Sequence, residues 1–350
     1  MRNSTPVVLT PKDAQNRAFW CLYLALLLLT VALALAALCI GRYPLEVIDV
    51  IRVVASRFVS VEPTWNPTIE SVIFLVRVPR IIAAVLAGGA LAASGSAFQS
   101  TFRNPLAAPE LLGVFQGASV GAALAILFNY PNLVIQLFAL TGGILAVVLT
   151  SGITKFFKSD STAILVLAGV IVSGLLRSVL GMLKYVMDTE TQLPSITYWE
   201  LGSLAGMTMR KIYLIAPTMI VALVILLIML WQLNLLSLGD NEARSLGVNV
   251  LFIRGLTVIC ATFLTSCAVC LAGTIAWIGL VIPHAGRALV GPDNIKLTPI
   301  VIFIGAIFLI VVDTIARSVT GLEIPLSILT GLIGAPIFIG LLLKQRMQIK

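Results

Sequence analysis

Cys267 and Cys270 stand in the chain's one Cys-x-x-C, the spacing of half a metal or redox site. No second ligand pair accompanies them, and both lie in an apolar run where a thiol acts as a small hydrophobe. His284 is the sole histidine, so imidazole metal centres and acid–base catalysis have almost no material. Asp313 is the only acidic residue well inside an apolar stretch, and Arg317 follows it by one helical turn, the spacing of a local ion pair. Arg177 lies midway through another apolar run, a costly place for charge unless it faces water, protein or a partner. Neither Gly-Lys-Ser nor Gly-Lys-Thr occurs, so the chain has no phosphate-cradling loop of that type. What remains is one polar stretch, Leu238 to Val248, in which Asp240, Glu242 and Arg244 stand between Gly239 and Gly247. Asp240 near its start suits the dipole of a short helix.

The elements that must position these residues are membrane spans. The 350 residues are 59% hydrophobic and 11% charged, with a mean hydropathy of +1.07, whereas soluble chains carry about 25% charge. A bilayer-crossing helix needs roughly 20 apolar residues, and the apolar runs parse into ten, near 19–41, 77–99, 110–128, 132–156, 162–186, 211–232, 251–273, 275–290, 299–316 and 325–343. No polar stretch is long enough for an independent core, so the expectation is one all-helical membrane domain over 1–350, with 19–343 its membrane region. The run from Phe19 to Ile40 exceeds a signal-peptide core, and Leu38 stands where a cleavage site before Cys39 needs a small residue; a retained first span is expected. Between the first two spans, EVIDVIRVVASRF alternates apolar and charged residues at helical spacing, the pattern of an interfacial amphipathic helix.

Thirteen of the 23 Lys and Arg fall inside if the N-terminus is cytoplasmic, among them Arg2, Lys12, Arg103, Lys158, Arg244, Arg254, Arg287, Lys344, Arg346 and Lys350; nine fall outside, including Arg77, Arg80 and Arg317. The bias has the right sign for both termini in the cytoplasm. The net charge of +8 belongs to such loops, since no basic run with interleaved aromatics points to nucleic acid.

Four segments are richer than membrane packing requires: Arg77 to Gly113, Leu233 to Val250, Ala272 to Asn294 and Val312 to Phe338. In order and spacing they resemble the permease subunits of ATP-binding-cassette importers for ferric siderophores, haem and cobalamin, and the likeness runs from Arg77 to the C-terminus. The resemblance implies a fold like that of the cobalamin-importer permease. It also implies a second permease, identical or homologous, two copies of a separate ATPase subunit and an extracytoplasmic substrate-binding protein. The surroundings would be the lipids of a bacterial cytoplasmic membrane. No cofactor, metal or catalytic residue is expected on this chain.

Residue by residue, 233–250 matches the segment that couples such permeases to their ATPase, through Leu238, Gly239, Asp240, Glu242, Ala243, Arg244, Leu246 and Gly247; taken alone it reads as a solvated loop. Arg77, Arg80 and Arg317 match positions at which arginines grip carboxylates of the binding protein, and guanidinium suits that task; taken alone they read as interfacial anchors. Asn104 and Leu106, in Asn-Pro-Leu, match an inner gate, though Asn104 also suits a helix cap. Thr162 matches a second constriction, where Ala163 departs from at least one relative. Arg177 matches no motif and reads either as a cavity residue favouring anionic cargo or as a buried structural partner. His284, after Pro283, reads as part of a turn. Cargo stays open among iron-siderophore or similar metal chelates, haem, cobalamin and oxyanions. An ion-coupled carrier is opposed by the scarcity of intramembrane carboxylates, and a membrane enzyme by the missing nucleophile or metal set.

Overall fold

The computed structural model describes residues 11–57, 59, 65–157 and 162–348; the side chains of 11–15, 162, 342 and 344–348 are outside that description. Arg2, Lys158 and Lys350, which entered the orientation count, fall outside it, as do the side chains of Lys12, Thr162, Lys344 and Arg346.

Among the described residues the chain is helical throughout, with no strand. In order come α1 (Pro11–Cys39), α2 (Val47–Ala55), α3 (Pro67–Ser71), a π-helical turn (Val72–Arg77), α4 (Val78–Thr101), a 3-10 turn (Pro109–Leu112), α5 (Val114–Leu127), α6 (Asn132–Phe156), α7 (Thr162–Val186) and α8 (Gln192–Leu201). These are followed by α9 (Met209–Ile228), α10 (Leu230–Leu238), α11 (Asp240–Ser245), α12 (Val250–Ala272), α13 (Ile278–Val290), α14 (Asn294–Ser318) and α15 (Leu326–Gln348). Seven helical stretches are long and apolar enough to cross a bilayer, and three shorter apolar helices, α5, α13 and the apolar part of α15, fill the remaining expected spans. At 14 and 13 residues, α5 and α13 are only about 20 Å long; a hydrocarbon core is about 30 Å thick. These two rely on neighbouring protein to complete their depth.

Small residues explain the packing. Lipid gives helices no hydrophobic reason to associate, so close backbone approach does the work. A Cβ on Gly88 would overlap the Gly305 carbonyl oxygen of α14, and one on Gly305 would overlap that of Gly88. Gly95 meets Gly279 of α13 in the same way, and Gly117 meets Gly142 where α5 crosses α6. The run AGGALAASGSAF therefore lets α4 sit inside the bundle, with α12, α13 and α14 packed around it. Pro79 has no N–H to give, and just before it the chain widens: Val78 N bonds to the Ile73 carbonyl five residues back. That π turn offsets the helix face ahead of α4 and leaves both Arg77 and Arg80 buried.

The loops segregate to two ends. At the end predicted to be outer, α8 is held by the Lys184–Glu200 ion pair, by Gln192 Nε2 on the Leu127 carbonyl (3.0 Å) and by Thr274 Oγ1 on the Glu200 carbonyl (2.5 Å). Asp188 accepts from Thr191 N (2.7 Å) and Thr191 Oγ1 (2.7 Å), and these bonds hold its carboxyl below the usual carboxylate range. Leu326 N reaches the Gly202 carbonyl (3.0 Å), placing the start of α15 at the same end. The amphipathic helix falls where expected: α2 buries Val50 and Val53 while Val47, Ile48 and Ile51 stay exposed. Arg57 then pairs with Glu70 at 2.7 Å and lies over the Phe74 ring.

Candidate functional site: the two ends of the bundle

The end predicted to be inner is built on Gly239. With φ +145° and ψ 156°, it takes a conformation that only glycine adopts readily, breaking α10 from α11. Six residues later the helix stops, and Gly247 at φ +83° supplies the left-handed C-terminal cap: Val248 N bonds to the Ala243 carbonyl and Gly247 N to that of Arg244. Ala243 and Val248 turn inward, whereas Leu238, Glu242, Arg244 and Leu246 are exposed. Asp240 does more than suit a dipole. Its carboxylate accepts from Arg254 Nη2 of α12 at 2.8 and 2.9 Å, and lies 3.3 Å from Arg103 Nη2 beyond α4. The exposed helix is thus tied to two membrane helices.

Behind it lies a polar layer that the sequence reading missed. Asn234 of α10 accepts from Asn294 N (2.7 Å) and Nδ2 (2.9 Å) and donates to Asp293 Oδ1 (2.6 Å). Ser100 of α4 donates to Asn294 Oδ1 at 2.6 Å, and Arg287 of α13 donates to Gln99 Oε1. The signal available beforehand was Asp293, which caps α14 through Ile295 N, as Pro-Asp-Asn before an apolar run foretells.

Asn104 was expected to cap the next helix. Instead its Oδ1 accepts from Leu106 N at 2.9 Å, closing a turn two residues long, and the following 3-10 turn opens on Pro109. Leu106 is exposed at this inner end, and Thr162 begins α7 nearby in sequence to the α6–α7 connection. His284 is not in a turn: it is buried within α13, edge-on to Phe338 of α15, its Nε2 without a partner.

At the end predicted to be outer the arginines depart from expectation. Arg77, Arg80 and Arg317 were anticipated at a surface, yet they are 3%, 4% and 6% exposed. Most of their donors are already engaged within the chain, though Arg317 Nε has no hydrogen-bond partner. Arg80 Nε sits 2.8 and 2.9 Å from the two oxygens of Asp313, while its two terminal nitrogens bond Glu323 at 2.8 and 3.0 Å. The anticipated Asp313–Arg317 pair exists, at 3.6 Å, but is the looser of the two. Arg77 donates to the Leu38 and Tyr43 carbonyls and Arg317 to the Ala37 carbonyl. These guanidiniums therefore cap the C-terminus of α1, where orphaned carbonyls and the negative helix end favour a cation. Gly41 leaves them room, since a Cβ there would press on Arg77 and Arg317. Burial follows from the π turn and from carboxylates 233 and 243 residues away in sequence, which no local spacing announces.

Arg177 is exposed on α7, as are Leu167, Val170, Ile171, Leu175 and Met182 around the same helix. The buried structural role is thus not observed, and no ion pair to it occurs among the described residues. Cys267 and Cys270 are free and buried; Cys270 Sγ donates to the Gln136 carbonyl. No cluster of three His, Cys, Asp or Glu able to hold a metal exists among the described residues.

Comparison with known proteins bears on these two ends together. The FecCD transport family model matches residues 27–344. The molybdate import system permease protein MolB of Haemophilus influenzae is 39% identical over 313 residues, covering 89% of this chain and 92% of the relative. The hemin transport system permease protein HmuU of Yersinia pestis is 37% identical over 300 residues, 83% of this chain and 89% of the relative. A metal-chelate type ABC transporter solved in an inward-facing conformation superposes with a TM-score of 0.82 at 38% identity, over 92% of this chain and 98% of that one.

Proposed function

The chain belongs to the FecCD transport family, and from that premise we propose that it is the membrane-spanning permease subunit of an ATP-binding-cassette importer. It works without chemistry of its own. Two copies of a separate ATPase subunit supply the energy, a second permease completes the pathway between the two, and an extracytoplasmic binding protein delivers cargo. The chain lies in a bacterial cytoplasmic membrane with both termini inside, as one permease domain.

The observation that carries this reading is the inner-end segment 233–250. A protruding six-residue helix with Leu238, Glu242, Arg244 and Leu246 outward is a shape for insertion into another protein. Its anchor, Asp240, grips Arg254 and Arg103, so a push on α11 reaches α12 and the end of α4 directly. The Asn234–Asn294–Ser100 layer passes the same displacement to α14 and back to α4. Packed helices joined by backbone contact move as rigid bodies, and the inner ends of α4, α13 and α14 would shift together, carrying Asn104 and Leu106 with them. The buried arginines at the other end hold α1, α4 and α14 as one unit; binding-protein docking at that end would then use the surface they shape, with Glu323 the partly exposed member of the cluster.

An iron-siderophore or similar metal chelate is the cargo this reading favours, because Arg177 presents an exposed cation on a face of α7 not covered within the chain. The molybdate permease among the relatives favours a second candidate of the same charge, a metal oxyanion.

Cysteine cross-linking tests the coupling surface. In membranes containing the whole transporter, Ser245→Cys and Leu246→Cys should each cross-link to the ATPase subunit, while Leu322→Cys, exposed at the opposite end, should not. Cross-linking from Leu322→Cys alone would overturn the reading.

A further inference from the structure

Pro283 falls inside α13 and has no N–H to give, so the Gly279 carbonyl four residues earlier loses its helical donor. A proline at such a place is a point where a helix bends. In α13 the missing donor comes from another helix. Gln99 of α4, 3% exposed, turns its Nε2 to the Gly279 carbonyl (3.3 Å) and to the Leu280 carbonyl (3.2 Å). Its Oε1 accepts from Nη1 of Arg287, one turn beyond the proline. A single amide thus bonds α13 on both sides of its weak point. The chemistry fixes which way that amide faces, because carbonyls need a donor and a guanidinium needs an acceptor. Gly95, one turn before Gln99, lets the first turn of α13 lie against α4: a Cβ there would overlap the Gly279 carbonyl oxygen.

The same end of α4 is tied to the short exposed helix. Arg103, four residues after Gln99, lies 3.3 Å from Asp240 of α11, and Ser100 donates to Asn294 at the start of α14. α13 leans in turn on α15, with Trp277 against Gly334 and His284 edge-on to Phe338. Without the amide, the part of α13 beyond Pro283 is free to bend while the part before it stays on Gly95. We propose that Gln99 is a positioning residue of the transport cycle. Its amide splints α13 across Pro283, so that both parts of α13, and α15 with them, follow the C-terminal end of α4 when α11 is displaced. The proposal rests on the reading of 233–250 as the segment that couples to the ATPase.

Spin labels test the splint without any cargo. The permease carries Cys21→Ser and Cys39→Ser, is assembled with its ATPase, and has two cysteines at a time placed at exposed Leu106, Phe156 or Leu289. These positions report the end of α4, the end of α6 and the end of α13. Distances are measured by electron resonance with and without trapped ATP. The distance from Leu106 to Phe156 should change on trapping, whereas that from Leu106 to Leu289 should hold constant, because α13 moves with α4. Gln99→Leu removes both sets of bonds, and Gln99→Glu keeps an acceptor for Arg287 but loses the donor. In either variant the first distance should still change and the second should now change with it; a side chain that only stabilised the fold would lower the yield of transporter and leave the second distance constant. Pro283→Ala restores the missing N–H and should return the second distance to constancy in the Gln99→Leu background. A second distance that changes in the unaltered chain, that stays constant in both Gln99 variants, or that Pro283→Ala does not rescue would overturn the proposal. A first distance unmoved by ATP in the unaltered chain would instead sink the coupling reading beneath it.

Discussion

At the scale of single residues, charge inside the bundle is held by number of partners rather than by closeness alone. Asp313 is buried and faces both Arg80 and Arg317, so neutralising it takes the carboxylate from Arg317 and leaves Arg80 with Glu323 alone, whereas Glu323 is a partly exposed second partner of Arg80 only. Asp313→Asn should therefore destabilise by about 3–5 kcal/mol and Glu323→Gln by about 1 kcal/mol, read as a large and a small fall in melting temperature of the purified protein. Equal falls would mean that the Arg80–Asp313 pair is not the anchor described. Arg177 belongs to function rather than stability: Arg177→Ala should leave the melting temperature unchanged and reduce uptake of an anionic cargo, and undiminished uptake would exclude a cavity role. Charged residues were the most legible in sequence for their presence and the least legible for their partners. Asp313 with Arg317 could be read from a four-residue spacing; Asp313 with Arg80 could not, because only the packing of α14 on α4 brings them together.

Among elements, length and composition were readable and termini less so. Each of the ten apolar runs became a helix, since twenty apolar residues in lipid have no other way to satisfy their backbone. The break at Gly239 and the stop at Gly247 were also visible as glycines flanking a polar run. The π turn before Pro79, the outer helix α8 and the turn closed by Asn104 were not, because each is decided by contacts between segments. The glycines within the helices divide by what faces them. Gly88→Ala and Gly305→Ala push a methyl into the opposite backbone, an overpacking of roughly 1–3 kcal/mol, and should lower both the yield of monodisperse protein and its melting temperature. Gly152→Ala on α6, with open space beside it, should be neutral or slightly stabilising, as alanine favours helix by about 1 kcal/mol. A neutral Gly88→Ala would refute the close α4–α14 crossing.

For the whole molecule, the arrangement is a set of helices locked together at one end by buried ion pairs, with one short exposed helix at the other. On the proposed reading such a body is tilted from one side by a partner that supplies the energy. The division of labour between this chain and an ATPase is thus the central claim. Uptake of labelled ferric chelate or molybdate into proteoliposomes tests it most directly, with the permease reconstituted together with or without its ATPase and supplied with ATP, with a non-hydrolysable analogue, or with an ion gradient. Accumulation that requires both the ATPase and hydrolysable ATP, and that persists when an ionophore collapses the gradient, is the predicted result; accumulation by the permease without the ATPase, driven by the gradient, would contradict it.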